Sequence, residues 1–145
     1  MFLTKNFTLN ELTKSATAQR CGIDNTPSEA IKKNLQTLCS KILQPLRDTF
    51  GEPIIVGSGY RCPALNKKVG GVANSDHMYG CAADIKTVSD APSENKKLFD
   101  LAVKMMREGT ISEVKQILDE YGYNWIHISF QDGRTSKRNQ VLHIK

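Results

Sequence analysis

The sequence has only three histidines, and two of them stand where a metal ion would need them. His77 lies in Ser75-Asp76-His77-Met78-Tyr79-Gly80-Cys81-Ala82-Ala83-Asp84. The small residues Gly80, Cys81, Ala82 and Ala83 allow a tight turn and close packing between this histidine and Asp84. Asp84 is bracketed by Ala83 and Ile85 in an apolar stretch, and a buried, unpaired carboxylate is costly. It therefore needs a cation, either a basic side chain such as Arg61 or a metal. His127 lies in Trp125-Ile126-His127-Ile128-Ser129-Phe130. Alternate residues of a strand share a face, so Ile126, Ile128 and Phe130 point to a core while Trp125, His127 and Ser129 point away from it. Two imidazoles and one carboxylate form a donor set suited to zinc, with a fourth position left for water. Zinc lowers the pKa of such a water to about 7 and polarises a carbonyl oxygen. On spacing alone, His127 reads equally as a satisfied strand histidine, and Asp84 as a strand-end cap or a partner of Arg61.

These side chains need elements to hold them. Thr8-Leu9-Asn10-Glu11 reads as a capping box opening a short helix. A second box, Thr26-Pro27-Ser28-Glu29, predicts a helix with Thr26 as N-cap, Pro27 first and Glu29 third. Ile31, Leu35, Leu38, Ile42, Leu46 and Phe50 continue it with helical period. Pro45 predicts a kink by removing a donor and crowding the Lys41 carbonyl, and Gly51 is the stop. Ile54-Ile55-Val56 predicts a strand ended by Gly57-Ser58-Gly59, and 63–69 a short helix broken by Gly70-Gly71. A strand follows over 82–87, then a helix capped by Ser93 that carries Leu98, Leu101, Ala102 and Met105 and stops at Gly109. Strands over 114–118, 125–130 and 141–144 close the sheet. Helices come first and strands later, without βαβ alternation. The fold class is therefore α+β, a small, largely antiparallel sheet with helices packed on it.

The chain of 145 residues has the length of one domain, residues 1–145. Its 39% apolar and 24% charged residues fit a folded soluble protein and exclude disorder. No apolar run reaches the ~18 residues of a membrane span. The N-terminus lacks an apolar signal-peptide region, so synthesis in the cytoplasm without such a signal is expected. The formal net charge is +5. It is spread over Lys32, Lys33, Lys67, Lys68, Lys96, Lys97, Arg134, Lys137 and Arg138, with no nucleic-acid-binding motif. The four cysteines form no C-x-x-C pair, and Cys39 falls on the apolar helix stripe as a small core residue.

Ser58-Gly59-Tyr60-Arg61, Leu65-Asn66, Val69-Gly70-Gly71, the Ser75–Asp84 signature and Trp125-Ile126-His127-Ile128-Ser129 together resemble the zinc D-Ala-D-Ala metallopeptidases. These are peptidoglycan peptidases of the hedgehog/DD-peptidase fold. Phe7-Thr8-Leu9-Asn10-Glu11-Leu12, Asp24-Asn25-Thr26-Pro27 and Leu43-Gln44-Pro45-Leu46-Arg47 look like the helical start of the short, single-domain phage and bacterial branch. The resemblance implies Zn2+ held by His77, Asp84 and His127, with Arg61 holding substrate and stabilising the oxyanion. It makes Ser75 a hydrogen-bonding group beside the metal loop, and Tyr79 and Trp125 line the substrate groove with Tyr60 and Tyr123. It further implies a peptidoglycan peptide as substrate, carboxypeptidase or endopeptidase chemistry at the bacterial cell wall, a lytic role of the endolysin kind, and a monomer with no nucleic-acid or membrane partner. The chain departs from the family at the general base. Asn124 stands where many relatives carry Glu, and Trp125 where others carry His. Glu120, returned to His127 by a turn at Tyr121-Gly122-Tyr123-Asn124, is the candidate base, while Asp119 points to the opposite face. Two other readings are a zinc-containing wall-binding module without catalysis and, more remotely, a basic nucleic-acid-binding protein.

Overall fold

The computed structural model describes all residues, Met1–Lys145. Two short strands the sequence did not announce, β1 (Phe2–Thr4) and β2 (Phe7–Thr8), form an antiparallel hairpin. The capping box then opens α1 (Leu9–Thr13). The Glu11 amide donates to Thr8 Oγ1 at 3.2 Å and the Thr8 amide to the Glu11 carboxylate at 3.3 Å. Ser15 caps α2 (Ala16–Cys21).

The next helix, α3 (Glu29–Leu38), begins two residues later than its box predicted. Asp24 Oδ1 accepts from both the amide and the hydroxyl of Thr26, at 3.0 and 2.6 Å, so Thr26 closes a turn instead of capping. Ser28 is the cap, accepting from the Ile31 amide. The kink expected at Pro45 is a widened π turn over Cys39–Leu43, in which the Gln44 amide reaches back to the Cys39 carbonyl. The helix continues as α4 (Gln44–Phe50) with Pro45 at its start, and the widened turn just before it accommodates a residue that has no amide to donate. Leu35, Leu38, Cys39, Ile42, Leu43 and Leu46 along this axis are fully buried.

The remaining elements are β3 (Ile54–Ser58), α5 (Pro63–Lys68), a 3₁₀ turn (Asp76–Tyr79), β4 (Ala82–Thr87), α6 (Pro92–Glu108), β5 (Val114–Glu120), β6 (Trp125–Phe130) and β7 (Gln140–Ile144). Pro92 takes the first position of α6, so Ala91 is its N-cap and Ser93 lies inside the helix, with no side-chain cap. The main sheet has the order β3-β4-β6-β5-β7. Its inner pairs are antiparallel, and only β7 runs parallel to its neighbour β5. Segment 131–139 carries the chain across the start of β5, fastened by Gln131 N–H to Glu113 O and Asn139 N–H to Val114 O.

One cluster of 27 buried residues forms the core. Leu98, Phe99, Ala102, Val103, Met105 and Met106 of α6 pack there with Ile85, Ile117, Ile126 and Ile128 of the sheet. Because strand side chains alternate, the opposite face of β4, β5 and β6 is left to carry polar groups. No helix is long and apolar enough to cross a membrane.

Candidate active site

Asp84 and His127 are direct partners in the β4–β6 register. Directly opposed residues of an antiparallel pair project to the same face, so two central strands present a carboxylate and an imidazole side by side. His127 Nδ1 lies 3.1 Å from Asp84 Oδ1. The 3₁₀ turn brings in the third group, with His77 Nε2 at 3.3 Å from the same oxygen. The two imidazole rings meet edge to face, with centroids 5.1 Å apart.

His77 is held from several sides. Its Nδ1 is 2.7 Å from the Gly59 carbonyl, which fixes the proton on Nδ1 and turns Nε2 toward Asp84. Its amide donates to Ser75 Oγ at 3.2 Å, and its carbonyl accepts from the Arg61 amide at 3.0 Å. Gly59 must be glycine, since a Cβ there would lie 2.3 Å from the Leu12 carbonyl oxygen.

The donor atoms of His77, Asp84 and His127 all lie within 4.8 Å of one another. Two nitrogens and one carboxylate oxygen at this spacing, with one imidazole already oriented by a backbone carbonyl, fit a zinc-type ion. Burial raises the proton affinity of the Asp84 carboxyl, but hydrogen bonds from His127 and His77 and their charges more than offset it. The group is held well below the usual carboxylate range. The sequence left a choice between a basic side chain and a metal for Asp84. The basic side chain takes one carboxylate oxygen, with Arg61 Nη2 at 3.3 Å from Asp84 Oδ2, and the other oxygen, Oδ1, is turned to the two histidines.

Arg61 is fixed at three points. Besides Asp84, Nε donates to Ser58 Oγ at 3.0 Å and Nη1 to Asn66 Oδ1 at 3.4 Å. Asn66 in turn donates to the Val72 carbonyl at 2.9 Å. Gly71 leaves room for this chain, since a Cβ there would lie 2.1 Å from Asn66 Oδ1.

Glu120 is directly opposite Trp125 in the β5–β6 register, two pairs beyond Leu118 and His127 and so on the same face. Its carboxylate accepts a hydrogen bond from Trp125 Nε1. It lines a cavity of about 480 Å³ together with His127, Leu118 and Gln116. The reversal that returns it uses left-handed backbone at Tyr121, Gly122 and Tyr123. Asn95 of α6, fully buried, clamps this turn by donating to the Tyr123 carbonyl at 2.9 Å. Asp119 faces the other side of the sheet, where its buried carboxylate pairs with His143.

The other expected substrate residues are distributed differently. Trp125 also lines a hollow of about 220 Å³ with Gly57, Ser58, Asp84, Lys86 and Asn124. Ser75 is buried, with its hydroxyl engaged by the His77 amide. The Tyr79 ring is partly exposed and lies 3.8 Å beneath the Arg134 guanidinium, so it is not drawn in among the three donors. An ion network the sequence reading missed supports this side. Asp76 Oδ1 accepts from Lys115 Nζ at 2.9 Å and from Arg134 Nη2 at 2.7 Å, and Arg134 Nε reaches Asp132 at 2.6 Å. A lysine directly after Val114, at the start of an apolar strand, was the available signal.

A donor set of this kind, on the open face of a sheet backed by helices, suits a mononuclear metal centre. The chain belongs to the Peptidase M15 family, which it matches over residues 5–129. A stretch of 44 residues is 50% identical to the zinc D-Ala-D-Ala carboxypeptidase of Streptomyces albus G. That stretch is 30% of this chain and spans 17% of that relative's length. The family expected from the Ser75–Asp84 signature is thus the family found. Residues 130–145 lie beyond the matched segment.

Proposed function

We propose that this chain is a zinc-dependent peptidase that hydrolyses a peptide bond in peptidoglycan. The observation that carries the reading is the convergence of His77, Asp84 and His127 within 4.8 Å. The family match and the name of the Streptomyces relative support the choice of metal and of substrate class. His77 Nε2, His127 Nδ1 and an Asp84 carboxylate oxygen would hold the ion. When bound, zinc supplies Lewis acidity to the scissile carbonyl and acidifies a water molecule.

The chain's own residues do the rest. The Glu120 carboxylate takes a proton from the attacking water and passes it to the leaving amine. The Trp125 indole N–H keeps that carboxylate oriented, and its ring borders the groove. The Arg61 guanidinium, already fixed by Ser58 and Asn66, takes charge developing on the carbonyl oxygen. Ser75 acts through His77, and Tyr79 contributes a partly exposed ring at the rim. In this reading residues 1–145 act as one monomeric domain at the bacterial cell wall, with a lytic role.

Metal analysis combined with digestion of purified peptidoglycan tests the proposal. One zinc per chain is expected, lost in His77→Ala and in His127→Ala, together with release of peptide fragments. Their masses separate carboxypeptidase from endopeptidase cleavage. Full zinc in both variants would remove this ligand set. Zinc without turnover would favour the wall-binding module that Asn124, in place of the family Glu, suggests.

A further inference from the structure

Lys137 lines the cavity that holds His127 and Glu120. Its side chain enters no ion pair. The other lysine of that wall, Lys115, is engaged by Asp76 at 2.9 Å, and the Glu120 carboxylate is engaged by Trp125. Of the two lysines of this wall, Lys137 is the one whose ammonium holds no ion pair. The segment that carries it is tied down. Gln131, buried at 5% exposure, donates through Nε2 to the Lys137 carbonyl at 2.5 Å and accepts from the Gly133 amide at 2.7 Å. Arg134 is fixed to buried Asp76 at 2.7 Å, and the Asn139 amide to the Val114 carbonyl at 2.9 Å. An exposed lysine ordinarily contributes little to binding, because ordering it offsets the attraction. Here the backbone is ordered in advance, so binding has only the side chain left to order.

We infer that Lys137 is a specificity-determining residue whose ammonium receives a free carboxylate of the substrate, so that preferred peptides carry an anionic group close to the scissile bond. This rests on the peptidase reading of the same site. It adds a residue beyond the segment matched by the family. A peptidoglycan stem offers two sources of that chemistry, its C-terminal carboxylate and the free carboxylate of its acidic residue.

The test uses one stem peptide in three forms: both carboxylates free, the C-terminus as carboxamide, and the acidic residue as carboxamide. Wild type is compared with Lys137→Ala, Lys137→Arg and, as a control for net charge, Lys33→Ala on the exposed side of α3. On the free peptide, Lys137→Ala should raise KM about tenfold, the size of one charge-assisted hydrogen bond, with kcat unchanged. Lys137→Arg should restore KM, and Lys33→Ala should leave it alone. The difference between wild type and Lys137→Ala should vanish on one of the two carboxamides, which identifies the source. A wild-type KM for Lys137→Ala, or an equal loss on all three forms, would overturn the inference. If zinc-loaded wild type cleaves none of them, the peptidase reading fails separately. Calorimetric binding of the three peptides to wild type and Lys137→Ala then still decides whether Lys137 distinguishes carboxylate from carboxamide.

Discussion

Adjacent carboxylates on β5 have opposite fates, and a pair of amide substitutions exploits this. Glu120 shares its face with Trp125 and His127 and lines one cavity with His127. Asp119 is buried on the far face against His143. Glu120→Gln keeps an oxygen that accepts from Trp125 Nε1, so folding and zinc content should be unchanged. Only the basicity is lost, and loss of a general base costs ~10²–10⁴-fold in rate. Asp119→Asn removes the charge from a buried hydrogen-bonded pair, a loss of about 1 kcal/mol. For a chain of this length that lowers Tm by roughly 2–4 °C, with turnover unaffected. Both variants are assayed on one peptidoglycan preparation, with zinc content and melting recorded alongside. Wild-type turnover from zinc-loaded Glu120→Gln would refute the assignment of the base. A dead Asp119→Asn of normal stability would refute the argument that only the site-facing carboxylate matters.

Arg61→Lys keeps the charge but cannot hold Ser58, Asn66 and Asp84 together. Turnover should fall ~10²–10³-fold with one zinc per chain retained, and unchanged turnover would remove Arg61 from the reaction. Gly59→Ala should lower the urea midpoint and weaken zinc binding together. Its Cβ would meet Leu12 backbone atoms at 2.3 and 2.8 Å, and the Gly59 carbonyl orients His77; a normal midpoint would contradict the close approach. Burial pushes the Cys39 and Cys81 thiols up to about 12, whereas Cys21 is exposed. At pH 8 a thiol reagent should therefore label Cys21 rapidly, and Cys39 and Cys81 only after unfolding. Rapid labelling of either buried thiol in the native protein would count against this packing.

Local chemistry made much of the chain legible in advance. Strands 82–87 and 125–130 follow from β-branched and alternating residues, and they form with those bounds. The capping box at Thr8 and the stops at Gly51 and Gly109 depend on groups a few residues apart, and they too form. The misread helix starts share one cause. At Thr26 an Asp24 turn competed for the capping group, and at Ser93 the proline ahead of it had already set the start. Pro45 announced a disturbance without revealing its form, because a π turn depends on how α3 and α4 both pack into the core.

The sequence by itself determined the α+β class, from local patterns of residue type, and the family, from its motifs; through that resemblance it named His77, Asp84 and His127 as candidate metal ligands. Only the tertiary structure decided that Asp84 and His127, 43 positions apart in the chain, are register partners. It also decided that Gly59 fixes the His77 tautomer, that Asn95 clamps the turn behind Glu120, and that Asp76, Lys115 and Arg134 join in one network. Such contacts arise when distant segments share a strand pairing or a packed surface, and no local pattern encodes which partner will be there.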